Sequence, residues 1–264
     1  MVIVLKFTTV MRIFLKHFVV FITLVGVVSC KQENKHLEKV SWEEIEVTEV
    51  LEKPDSLEQF VAPYRKHLDS VLAEPLCYAP TTLSKSDGQY NTAIGNLLCD
   101  IIYEQGAPIF ESRTGKKIDM VLINHGGIRA VISQGPVTRR TAYEVMPFEN
   151  TINVLEISSE KLNEMVDYLV RSNRPHPFSG LTISINENGE LLEYKVNGRD
   201  PKKGDTYFVA TSNYLANMGD NMKFFGNPIQ RYELDYLIRN AMIDYFEKTD
   251  TLRAATDKRF AIIN

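Results

Sequence analysis

The run Val121-Leu122-Ile123-Asn124-His125-Gly126-Gly127-Ile128-Arg129 sets an apolar stretch against an amide, an imidazole, two glycines and a guanidinium. A strand end followed by Gly126-Gly127 lets a ligand approach the backbone, because no Cβ intrudes. Arg129 offers a planar fork of donors to a phosphate or to sugar oxygens, and Asn124 offers a donor and an acceptor to a base edge. The same residues also fit a tight turn whose arginine is merely solvated. Further on, Met146-Pro147-Phe148-Glu149-Asn150 places an aromatic ring among polar loop residues, as a core plug or as a stacking surface. In Thr211-Ser212-Asn213-Tyr214-Leu215-Ala216-Asn217-Met218-Gly219-Asp220, a second ring and a carboxylate follow a predicted strand. Two π-faces and an acceptor for hydroxyls are what a nucleoside site needs.

The elements that must carry these residues show in the periodicity. Leu57, Phe60, Val61, Tyr64, Leu68, Val71 and Leu72 form one helical stripe, with Pro63 marking a kink or the true helix start. Residues 91–105 repeat the pattern with Ile94, Leu97, Leu98, Ile101 and Ile102. Residues 117–124 read as a buried strand ending at Asn124, and 151–158 as another. Thr138 is a plausible N-cap for a short helix, and Ser159 opens a helix with Leu162, Met165, Val166, Leu169 and Val170 inward. A hairpin is expected over 181–198 around Asn186-Glu187-Asn188-Gly189, then a strand over 206–215, a helix over 233–248 and a final strand over 259–263. Residues 41–52 alternate weakly, as an edge strand would. Strands and helices mix without strict βαβ alternation, so the expected fold is α+β: a layered sandwich of mixed β-sheet and helices.

The first thirty residues read as a targeting segment. Lys6, Arg12, Lys16 and His17 precede an apolar run that ends in Val27-Val28-Ser29-Cys30. That ending resembles a bacterial lipobox, which implies a signal peptide over 1–29, lipidation of Cys30 and anchorage in the cell envelope. An ordinary signal peptide with a chance cysteine is the alternative. Residues 30–55 read as a polar tether with the edge strand, and 56–264 as one domain, long enough for a real core. The full chain carries a formal charge of −4. Removing Lys6, Arg12 and Lys16 leaves 27 Lys+Arg against 34 acids, about −7. This balance argues against nonspecific nucleic-acid binding, while one arginine can still hold a small anion. Cys77 and Cys99 could pair in an exported protein, but Cys99 falls on the apolar side of a helix, where a free thiol packs well.

Three blocks together resemble the C-terminal domain of the 5'-nucleotidase family, which includes periplasmic UDP-sugar hydrolases and ecto-5'-nucleotidases. They are 124–130 (NHGGIRA), 135–170 (GPVTRRTAYEVMPFENTINVLEISSEKLNEMVDYLV) and 207–220 (YFVATSNYLANMGD). The likeness spans roughly Leu57 to the C-terminus. It implies a 5'-nucleotidase C-terminal-domain-like fold closing over a nucleotide whose base lies between Phe148 and Tyr214. It also implies Asp220 on the ribose, Arg129 on the sugar or phosphate, Asn124 and Asn150 near the base, and Gly126-Gly127 allowing the approach. Departures are Met218-Gly219-Asp220-Asn221 where the family often has Gly-Gly-Asp-Gly, Glu149 for a common glycine, and Lys85 alone where an arginine is usual.

In the family, hydrolysis belongs to an N-terminal metallophosphoesterase domain with two metal ions. None of its Asp-x-His, Gly-Asp, Gly-Asn-His-Glu or Gly-His-x-His blocks occurs here, and His36, His67, His125 and His176 are scattered. No catalytic residue and no cofactor is therefore expected on this chain. Divalent metals are expected on a partner, a separately encoded metallophosphoesterase. The expectation is the nucleotide-binding half of a 5'-nucleotidase-type phosphohydrolase, or else a non-catalytic nucleoside-binding surface lipoprotein for scavenging or sensing.

Overall fold

A computed structural model describes residues 11–12, 14–23, 37, 39–44, 55–172 and 174–263. Residues 14–23 are helical and exposed, and no helix among the described residues is long and apolar enough to cross a membrane. Cys30, the cleavage expected before it and most of the tether lie outside the described residues. Of the edge strand expected over 41–52, residues 41–44 are irregular and the rest lie outside.

Residues 55–264 form one compact unit. Its elements in order are α1 (Asp55–Leu72), β1 (Pro75–Ala79), α2 (Ala93–Thr114), β2 (Met120–Leu122), β3 (Gly135–Thr138), α3 (Arg139–Val145), β4 (Thr151–Ser158) and α4 (Ser159–Arg171). Then follow β5 (Phe178–Ser179), β6 (Leu181–Ile185), β7 (Leu191–Val196), β8 (Thr206–Ser212), α5 (Asn213–Ala216), β9 (Gln230–Leu237), α6 (Ile238–Lys248) and β10 (Phe260–Ile262). The central five-stranded sheet has the order β5-β2-β8-β4-β9, with β2 and β8 parallel and the other pairs antiparallel. A three-stranded sheet, β10-β6-β7, and a two-stranded one, β1-β3, flank it. The fold is the mixed α+β expected.

Successive residues of a strand point to opposite faces, and the central sheet uses both. Val121, Ile152, Val154 and Ala210 enter one apolar cluster with α2, α3 and α6. Met120, Leu122, Leu155, Ile157 and Val209 enter a second with α4, β6 and Phe224-Phe225. The central strands are thus buried on both faces, and the loops that carry the site leave from their ends.

Local chemistry sets the boundaries. Thr92 caps α2 by accepting from Gly95 N at 3.2 Å, and the helix runs to Thr114, past the predicted end at 105. Thr138 and Thr141 form a reciprocal capping box at the start of α3. The cap of α4 is Ser158, one residue before the predicted opener, its side chain accepting from Lys161 N. Glu233–Leu237 is strand, not helix: β9 pairs with β4, and α6 begins at Ile238. The stripe on α1 departs from expectation too, for the helix forms but none of its residues is buried. Cys77 and Cys99 are free and buried. Burial pushes the Cys77 thiol up to about 11 and the Cys99 thiol well above its ordinary value.

Candidate functional site

Three loops from the ends of β2, α3 and β8 converge on one cavity of about 370 Å³. Its lining is Asn124, Gly126, Gly127, Arg129, Phe148, Asn150, Tyr214 and Asp220, so the structure brings all eight predicted positions together. The volume falls within the range of small-molecule sites. Phe148 and Tyr214 are 43% and 46% exposed and do not stack on each other, so neither is a core plug.

The first loop is a single 3₁₀ turn, His125–Gly127, following Asn124. Asn124 is buried, and its Nδ2 donates to Asp220 Oδ2 at 2.7 Å. A Cβ on Gly127 would lie 2.8 Å from Asn124 Oδ1, so glycine is what permits the amide to sit there. Arg129 N donates to Val145 O at 2.9 Å, fastening this loop to the end of α3. The Arg129 guanidinium donates to Gly126 O at 3.3 Å and stands 5.9 Å from the centre of the Phe148 ring. It lies over the Phe148 ring, and both side chains line the cavity.

The second loop, after α3, is held from beneath by Arg239 of α6. That side chain donates to Met146 O at 3.3 Å and Phe148 O at 3.5 Å and pairs with Glu149. Its guanidinium also lies 4.2 Å from the Tyr143 ring. Glu149, unusual at this position by resemblance, therefore has a local role as the counter-charge of a buried arginine.

The third loop, after α5, has an uncommon backbone. Met218, Asp220 and Asn221 all have left-handed φ values, 63°, 51° and 58°. These are positions where the resemblance leads one to expect glycines at 218 and 221. Gly219 lies against the Tyr214 ring, and a Cβ there would be 2.5 Å from ring carbons. One face of the tyrosine is thus covered by backbone. The Tyr214 hydroxyl accepts from Asp220 N and donates to Asp220 Oδ1, both at 3.2 Å.

Behind the cavity sit groups that the motifs did not flag. The Tyr168 hydroxyl donates to Asp220 O at 3.0 Å. His125 N donates to His176 Nδ1 at 3.3 Å. Burial lowers the His176 pKa to about 4, and burial with nearby Lys85 lowers that of His125. Burial thus favours the neutral form of both imidazoles. Lys85 stands on the outside of the first loop, its Nζ donating to Ile128 O at 3.0 Å; it does not line the cavity. Among the described residues no group of three or more His, Cys, Asp or Glu could hold a metal ion. A larger, shallower depression of about 750 Å³ along α2 is lined by Asp100, Glu104 and Glu111, whose charge disfavours anions.

A sheet buried on both faces, presenting a cleft with two half-exposed rings, a guanidinium and a tethered carboxylate, defines a small-molecule-binding domain. Residues 75–227 match the family model for the 5'-nucleotidase C-terminal domain, and the chain belongs to that family. It is 26% identical over 202 residues to the endonuclease YhcR of Bacillus subtilis, covering 73% of this chain and 16% of that protein. It is 23% identical over 242 residues to an apyrase of Tabanus yao, covering 83% and 42%. The chain thus spans less than half the length of these relatives. In fold it resembles the 5'-nucleotidase precursor of Thermus thermophilus, with a TM-score of 0.65, 22% identity and coverage of 78% of this chain and 43% of that one.

Proposed function

We propose that this chain is the nucleotide-binding half of a 5'-nucleotidase-type phosphohydrolase, active in nucleotide catabolism. The base of a nucleoside phosphate lies between Phe148 and Tyr214, Asp220 accepts from the ribose hydroxyls, and Arg129 holds the sugar or phosphate side. Asn124 and Asn150 border the base, and Gly126-Gly127 leave room for it. The observation that carries this reading is the gathering of all eight positions, from three distant blocks, around one cavity with both rings half-exposed. Base stacking on an aromatic ring contributes about 1–3 kcal/mol per base.

Catalysis then lies in positioning: binding energy from base and ribose orients the phosphate toward divalent metals on a separately encoded metallophosphoesterase. Lipidation at Cys30, after removal of residues 1–29, would anchor residues 56–264 as a domain at a bacterial envelope membrane. The test is AMP hydrolysis with added divalent metal, by the purified chain, by the phosphoesterase and by both. Turnover is expected to rise at least tenfold in the mixture. High turnover by the chain alone, or no gain on mixing, refutes the division of labour. Tight binding of adenosine without any gain on mixing favours the second reading, a scavenging or sensing lipoprotein.

A further inference from the structure

Asp220 is held by two other residues of the cavity and by one outside it. Three of the four residues Met218–Asn221 occupy the left-handed region, which most side chains avoid and Asp and Asn tolerate better. A turn like this keeps its shape only where its surroundings over-determine it. Every polar group of Asp220 is engaged. Its N–H donates to the Tyr214 hydroxyl, its C=O accepts from Tyr168, Oδ1 accepts from Tyr214 and Oδ2 from Asn124. Tyr168 comes from α4, a helix packed on the central sheet, and its ring rests on Phe224 and His176 at 5.5 and 5.4 Å between centres.

Each carboxylate oxygen has a second acceptor site left over. With the backbone clamped at both N–H and C=O, those sites have fixed directions. Two parallel acceptors on one rigid carboxylate match two hydroxyls on adjacent carbons. We infer that Tyr168 is a positioning residue: its hydroxyl on the Asp220 C=O, together with the Tyr214 hydroxyl on Oδ1, fixes the direction in which the carboxylate meets the ribose hydroxyls, and the preference for a ribonucleoside depends on that hold. The inference rests on the nucleoside reading of the cavity. It assigns a role to two hydroxyl groups that a stacking account leaves idle, one of them on a residue that does not line the cavity.

The test is calorimetric titration of the full chain with adenosine and with 2',3'-dideoxyadenosine, in wild type, Tyr168→Phe and Tyr214→Phe. Both variants keep the ring and remove only the hydroxyl. Wild type is expected to favour adenosine by at least tenfold. Tyr168→Phe should lose three- to tenfold of that preference through weaker adenosine binding, with dideoxyadenosine affinity unchanged; Tyr214→Phe, which alters a ring of the base clamp, is read only by its adenosine-to-dideoxyadenosine ratio, expected to fall three- to tenfold. A preference unchanged in Tyr168→Phe, an equal loss for both ligands, or no preference in wild type overturns the inference while nucleoside binding stands. If Tyr168→Phe fails to fold, Tyr168→Leu, which also keeps the helix face apolar and lacks the hydroxyl, decides by the same criteria. Failure of wild type to bind either nucleoside overturns the cavity reading and this inference with it.

Discussion

Gly219 shows how narrow the tolerances are at the level of single residues. Its missing side chain lets the Tyr214 ring lie against the turn, and the Tyr214 hydroxyl then reaches Asp220. A methyl group there would sit 2.5 Å from the ring, far inside contact distance, and the ring must move. Gly219→Ala should therefore destabilise the unit by about 1–3 kcal/mol and weaken adenosine binding at least tenfold. Chemical denaturation and calorimetry on the same protein check both. Wild-type affinity in that variant would mean the ring does not need its place over Gly219. The residues lining the cavity were legible because each stands in a short block of unusual composition: two glycines before an arginine, a ring between Pro147 and Glu149, a carboxylate beside a glycine. The residues that support them were not. Tyr168 follows Met165 by three and adds one more large side chain to an apolar helix face. Arg239 sits in a helix as any solvated arginine might, yet it is buried under the Phe148 loop. Second partners of this kind are set by tertiary approach, which no local spacing encodes.

At the level of elements, the strongest periodic signals led to correct helices and strands, and the errors have physical causes. Residues 233–237 are expected as the first turn of the helix over 233–248. In β9 they pair with β4 instead, and Asp235 takes a φ of 52° where the pairing shifts register. For α1 the pattern identified an apolar stripe but could not say what covers it. Leu57, Phe60, Tyr64 and Leu68 are exposed, and the helix meets the rest of the unit along α3, where Arg140 reaches Asp69 at 2.7 Å. An exposed ion pair contributes about 0–1 kcal/mol. Deleting residues 55–72 is therefore expected to change the stability of the remaining unit by no more than about 1 kcal/mol, with nucleoside affinity unchanged. Loss of the folded state in that variant would show that α1 is part of the core.

For the whole molecule, the consequence that reaches furthest is acid sensitivity. His176 is buried behind the cavity with a pKa of about 4; burial is the main cause, His125 and Arg174 add to it, and Asp220 opposes it. The unfolded chain takes up the proton near pH 6.5 and the folded one only near 4. Stability is thus full above about 6.5 and falls as pH drops toward 4, by roughly 3 kcal/mol at most from this group. In His176→Asn, which keeps an acceptor for His125 N, the fall between pH 6.5 and 4 should be shallower by a comparable amount in denaturant midpoints. An equally steep fall would assign the effect to other groups. The central claim spans the molecule too, because it requires loops from three separate strand and helix ends to act on one ligand. The direct measurement is a crystal structure of the chain soaked with AMP. The account predicts the purine between Phe148 and Tyr214 with the ribose hydroxyls on Asp220; a ligand bound elsewhere, or the two rings turned away from a shared base, would contradict it.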